Sequence, residues 1–77
     1  MIKLRIELSK HAKQRMIERE IKFEYIQQTI EFPDYTIKNN GKTEAYKNLG
    51  NKTLKVVYIS EHNFINVVTV IWKWELK

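Results

Sequence analysis

Apolar and polar positions alternate at the start of the chain. Ile2, Leu4 and Ile6 are separated by Lys3, Arg5 and Glu7, a period of two that predicts a short half-buried strand. The period then changes. Ser9 stands as an N-cap, and positions 10–20 contain no breaker and set Ala12, Met16 and Ile17 on one face, which predicts a helix of about three turns. Phe23, Ile26 and Ile30, with Tyr25 and Thr29 between them, repeat the helical spacing. Phe32-Pro33-Asp34 ends that second helix, because the residue before a proline disfavours the α region. Beyond Pro33 the pattern is β over 35–38, 43–48, 54–59 and 64–74. Three hairpins result, separated by Asn39-Asn40-Gly41, Leu49-Gly50-Asn51 and Ser60-Glu61-His62-Asn63.

The expected class is α+β, with two N-terminal helices packed on one face of an antiparallel β-meander of about four strands, which the N-terminal strand can join. Four-residue loops in the last two hairpins would set 48 opposite 53 and 59 opposite 64. Ala45, Val56, Tyr58, Ile65, Val67, Thr69 and Ile71 would then lie under the helices. Glu44, Tyr46, Lys55, Val57, Asn66, Val68, Trp72 and Trp74 would share the open face, with Tyr46 directly opposite Lys55. A one-residue change in either loop exchanges the two sets.

Seventy-seven residues suffice for one domain spanning 1–77 and exclude a multidomain enzyme. With no cysteine there is neither a disulfide nor a thiolate zinc site, so the domain is stabilised by packing or by association. No apolar run is long enough for a signal peptide or a membrane span, so a cytoplasmic protein without a membrane partner is expected. Charge is segregated: +4 over 1–22, −3 over 23–37, +4 over 38–55 and zero beyond, for a net +5. Two basic blocks around an acidic one suit a polyanion, nucleic acid before membrane, although Lys-rich surfaces also serve solubility.

His11, Arg15 and Arg19 are four residues apart, so on a helix each turns about 40° past the last and the three form a cationic ridge. Guanidinium forks match phosphate oxygens, and histidine moves protons near neutral pH. A solvated face on which Glu18 or Glu20 pairs with the arginines explains the same spacing. Near a helix N-terminus the macrodipole favours neutral imidazole, which suits His11 as a general base or as a hydrogen-bonding neighbour of Ser9. Tyr46 and Lys55 add an acid/base group and a positive charge, and Lys47 a further cation. Trp72 and Trp74 are platforms for a stacked base, or are buried against a helix or a dimer partner. Two distant histidines and no carboxylate cluster give no metal-ligand spacing, and no cofactor is expected.

Ser9, His11-Ala12, Arg15-Met16, Glu18-Arg19 and Ile21, then Pro33, Tyr46-Lys47, Leu54, Val56-Val57-Tyr58 and Val68-Thr69-Val70 with Trp72, form a longer pattern. It resembles a bacterial domain-of-unknown-function family that opens with S-x-H-A-x-x-R-M-x-x-R-x-I and closes with V-T-V-x-W, over roughly Leu8 to Trp72. That family is similar in size and layout to the RelE/ParE and BrnT toxins of toxin–antitoxin pairs, small basic proteins many of which cleave RNA without metal. Glu20 stands where the family commonly has Gly, Lys22 where it has a small capping residue, and Ile71 where it has Tyr.

The resemblance implies a RelE-like fold and a toxin-like, metal-independent endoribonuclease, the RNA 2′-OH acting as nucleophile. On this expectation the helix ridge and the open sheet face converge on the scissile phosphate. His11 or Tyr46 acts as general acid or base, Arg15, Arg19 and Lys55 stabilise the phosphorane, Thr69 orients a neighbour or packs, and Lys47, Lys55 and Trp72 hold RNA. The implied partners are RNA or the ribosome and an acidic antitoxin. The acidic segment and the Trp pair offer a surface for that antitoxin or for a homodimer. The competing expectation is a non-catalytic basic module, encoded by a plasmid, phage or virus, that binds nucleic acid or a partner protein.

Overall fold

The computed structural model describes residues 5–74. The elements follow in the order β1 (Arg5–Leu8), α1 (Lys10–Glu18), α2 (Phe23–Glu31), β2 (Tyr35–Asn39), β3 (Lys42–Asn48), β4 (Lys52–Ser60) and β5 (Phe64–Trp74). The expected first-strand positions Ile2 and Leu4 lie outside the described residues, as does the side chain of Trp74. The five strands form one sheet in the order β1-β5-β4-β3-β2. The class is α+β, but the sheet is mixed: β1 joins it beside β5 in parallel, while the other pairings are antiparallel.

Each boundary has a local cause. The Ser9 hydroxyl accepts from the Ala12 amide at 3.0 Å and donates to the Val68 carbonyl at 3.1 Å, so one side chain caps α1 and fastens it to β5. α1 ends two residues before the expected position, at a turn in which the Glu20 amide bonds to Ile17 O and the Ile21 amide to Met16 O. This pairing of bonds is the Schellman arrangement, and it requires left-handed backbone at Glu20, where φ is 54°. Gly would adopt that conformation without strain, yet the break forms here with Glu. The β2–β3 turn has positive φ at both Asn40 and Gly41, the twist that suits a two-residue hairpin.

Both helices cover one face of the sheet, α1 over β5 and α2 over β4 and β3. Ala12, Ile21 and Ile26 meet Leu54, Val56, Ile65, Val67 and Val70 in a core whose members are all at most 9% exposed. Thr29 is also fully buried, and its hydroxyl donates to Tyr25 O at 2.8 Å, which satisfies the only polar side-chain group it carries inside.

The β3–β4 register is the expected one, with Asn48 opposite Thr53 and Tyr46 opposite Lys55. The β4–β5 register is not. Ile59 pairs with Asn66 instead of Phe64, a shift of two that leaves the faces unchanged, but between Val57 and Tyr58 the ladder breaks. Tyr58 pairs with Val67 and Val57 with Thr69, so Val68 is an extra residue in β5, a β-bulge. Past it the described side chains of β5 change face. Val70 and Trp72 turn under the helices, whereas Thr69 and Ile71, expected in the core, turn onto the open face. The bulge lies where β1 ends and the Ser9 amide and hydroxyl bond to Val67 O and Val68 O.

Candidate functional site

Strand alternation and the bulge bring Glu44, Tyr46, Lys55, Val57, Thr69 and Ile71 together on the helix-free face. Tyr46 is its centre. The Tyr46 hydroxyl donates to Glu44 Oε1 at 3.0 Å, and Lys55 Nζ lies 3.8 Å from the same oxygen. Tyr35 of β2 stacks on the Tyr46 ring, with centroids 4.6 Å apart and planes at 10°. Lys55 and Lys73 each bring an ammonium to 5.8 Å from the ring centroid. Neighbouring side chains thereby bury Tyr46 to 6% exposure although no helix covers it.

That environment sets its protonation. Burial, and then the hydrogen bond and negative charge of Glu44, push the Tyr46 phenol up to about 12. Tyr46 is therefore a proton donor across the physiological range and not a base. The group able to accept a proton here is Glu44, which stands two residues from Tyr46 on the same strand. It was absent from the sequence-derived site. The available signal was its position on the Tyr46 face, opposite Val57 and diagonal to Lys55.

The helix ridge is elsewhere. His11 is exposed on α1, and Arg15 pairs with Glu18 at 2.8 Å within the same helix. Hydrogen bonds from Gln14 and Arg15 hold the Glu18 carboxyl below its usual range. Arg19 is a structural clamp: its guanidinium donates to Val70 O at 2.9 Å, and its own carbonyl accepts from the Trp72 indole at 3.0 Å. Among the described residues no hydrogen bond or ion pair joins the ridge to Tyr46, Lys55 or Thr69. The helices lie on the other side of the sheet, so the expected convergence of ridge and open face does not occur.

Two further candidates, Lys47 and Trp72, lie on the helix side. Lys47 alternates with Tyr46, so it points to the helix side, where Nζ donates to Phe32 O at 2.9 Å and neutralises the C-terminal end of α2. Trp72 was expected on the open face, but the bulge carries it under α1 and α2, edge-on to Tyr25 at 6.4 Å. Thr69 keeps a place at the candidate site by the same bulge, and Ile71 lies opposite Lys55. His62 sits in the β4–β5 turn. Among the described residues no three His, Cys, Asp or Glu side chains are grouped to hold a metal ion.

Residues 8–72, from the last residue of β1 to Trp72, match the domain of unknown function DUF4258. The chain belongs to the DUF4258 family. No curated protein and no solved structure matches it. The DUF4258 match takes in Ser9, the Glu20 turn, the Glu44–Tyr46–Lys55 cluster and the bulge at Val68, whereas Lys73 lies one residue beyond it. No helix among the described residues is long and apolar enough to cross a membrane.

Proposed function

We propose that this DUF4258 chain is a toxin-like, metal-independent endoribonuclease that works on its helix-free sheet face. The observation that carries the reading is the Glu44–Tyr46–Lys55 cluster, a half-buried carboxylate held by a phenol and an ammonium beside an exposed aromatic. Both contacts fall on Oε1 of Glu44, so Oε2 is the atom to accept the 2′-OH proton. The 2′-oxygen then bonds to phosphorus, and Lys55 and Lys73 offset the charge on the phosphorane. The P–O5′ bond breaks as the leaving oxygen takes the Tyr46 proton, and Glu44 returns its proton to Tyr46. The products are a 2′,3′-cyclic phosphate and a 5′-hydroxyl. Thr69, diagonal to Lys55, orients the phosphate. In this reading His11, Arg15 and Arg19 are not catalytic, and the partners are RNA, free or on the ribosome, and an acidic antitoxin in the cytoplasm.

A second reading, a non-catalytic nucleic-acid-binding module, is favoured by the separation of the two cationic surfaces on opposite sides of the sheet. One experiment separates them. Purified protein is incubated with mixed-sequence RNA in excess EDTA, in buffer and in a translation extract, beside Glu44→Gln and His11→Ala. The expected result is cyclic-phosphate fragments from wild type and His11→Ala, with Glu44→Gln reduced about 10²-fold or more. Loss in His11→Ala with full activity in Glu44→Gln would return the site to the helix ridge. RNA bound but intact in both settings would establish the binding module.

A further inference from the structure

β2 is an edge of the sheet that nothing among the described residues covers. The strand order ends on it, α2 packs on β4 and β3, and all five residues Tyr35–Asn39 are exposed. We propose that β2 is the dimerisation strand of this protein. It pairs antiparallel with β2 of a second copy about a two-fold axis at Thr36, so that two five-stranded sheets become one of ten strands.

The backbone is set for that pairing. Tyr46 O accepts from the Asp34 amide, so the peptide groups of Tyr46 face β2 and Tyr35–Tyr46 is a hydrogen-bonded pair. Alternation along the ladder makes Ile37–Glu44 and Asn39–Lys42 the other bonded pairs and turns the N–H and C=O of Thr36 and Lys38 outward. Opposite Thr36 of the partner subunit, Thr36 exchanges both of these bonds. On the open face Tyr35 then meets Ile37 of the partner subunit, and Ile37 meets the partner's Tyr35, at the non-bonded positions where cross-strand side chains come closest. Tyr35 is already stacked on Tyr46, so its ring does not have to be ordered on association.

Exposure and charge select a second copy as the occupant. Phe32, Tyr35 and Ile37, at 68%, 55% and 46% exposed, fall within six positions at or just before this edge, a concentration of apolar surface that marks an association site. Residues 23–37 carry −3 and residues 38–55 carry +4, and the sign changes within β2, between Ile37 and Lys38. Antiparallel pairing lays the acidic end of each strand beside the basic end of the other, with Lys38 next to the partner's Asp34; parallel pairing would lay like on like. A uniformly acidic or basic peptide matches only half of the edge. The described part of β1, the opposite edge, carries exposed Arg5 and Glu7 paired with each other, a charged border that discourages such pairing. A five-residue strand is small beside the roughly 20–30 residues a side of a standard interface, so the dimer dissociates at a concentration on the order of 100 µM. The pairing requires neither RNA nor catalysis.

The test is sedimentation equilibrium of the full chain from about 10 µM to about 1 mM, with thermal unfolding of each variant as the check that it is folded. A monomer–dimer equilibrium is expected for wild type and for Ile17→Lys, a control at an exposed position of α1. Thr36→Pro removes an amide that β3 does not use, a place where an edge strand tolerates proline, and Ile37→Lys replaces the apolar contact by a charge. Each should weaken dimerisation by about tenfold or more while the monomer stays folded. The chain has no cysteine, so single substitutions report the register. Two copies of Thr36→Cys lie about 5.5 Å apart at Cα and should close a disulfide under mild oxidation, whereas two copies of Ile37→Cys lie about 8 Å apart and should not. Cross-linking through Ile37→Cys but not Thr36→Cys would overturn the two-fold at Thr36. A monomer throughout the range, or a folded Ile37→Lys that dimerises as tightly as wild type, would overturn the proposal.

Discussion

Replacing Glu20 by glycine should stabilise this protein. Glu20 is the residue after the C-cap of α1 and holds φ at 54°, with the Glu20 and Ile21 amides already bonded to Ile17 O and Met16 O. For a residue with a Cβ the left-handed region costs about 1–2 kcal/mol, and Gly removes that cost. Gly also makes the unfolded chain more flexible, which takes back roughly 0.5–1 kcal/mol. The net gain is about 0.5–1 kcal/mol, or a rise of roughly 3–6 °C in Tm for a domain of this size. The assay is thermal and urea unfolding of wild type, Glu20→Gly and Glu20→Ala. Alanine removes the carboxylate from the helix C-terminus but keeps the Cβ, so the difference between the two variants isolates the backbone contribution. If Ala stabilises as much as Gly, the gain comes from charge and the argument from φ is refuted. A fall in Tm for Glu20→Gly would refute it more directly.

Alkaline stability should report Tyr46. Its folded-state value, about 12, lies above the ordinary 10.0, so the unfolded chain ionises first; the contribution is complete below pH 10 and is lost as pH rises from 10 through 12. Tyr46→Phe should lose less stability than wild type over that window, and phenolate absorbance should show one tyrosine fewer in the latest titration step; identical pH profiles would refute the raised Tyr46 value that its burial, and then its bond to Glu44, produce. For RNA, Lys55→Ala and Lys73→Ala should each lower the slope of log affinity against log salt by about one, whereas Lys47→Ala, whose ammonium is engaged by Phe32 O, should leave it unchanged. An effect of Lys47 equal to that of Lys55 would mean that RNA binds on the helix side.

What the sequence determined by itself was local. Ser9 as a cap, Pro33 as a stop, Asn40-Gly41 as a tight turn and the β3–β4 register that sets Tyr46 opposite Lys55 all follow from residues within a few positions of one another. Half of the candidate site was legible on that basis. The rest depended on contacts across the chain. The bulge at Val68 forms beside Ser9, 59 residues away in sequence, whose hydroxyl takes the Val68 carbonyl just where β1 leaves the sheet. Nothing in the alternation of 64–74 marks that position. Because side chains in a strand alternate with a period of two, a single extra residue sends Trp72 and Val70 under the helices and brings Thr69 and Ile71 to the open face. The same dependence explains the ridge: His11, Arg15 and Arg19 share a helix face by spacing alone, but the side of the sheet on which that helix lies, and the use of Arg19 as a clamp on β5, are decided only when the layers pack.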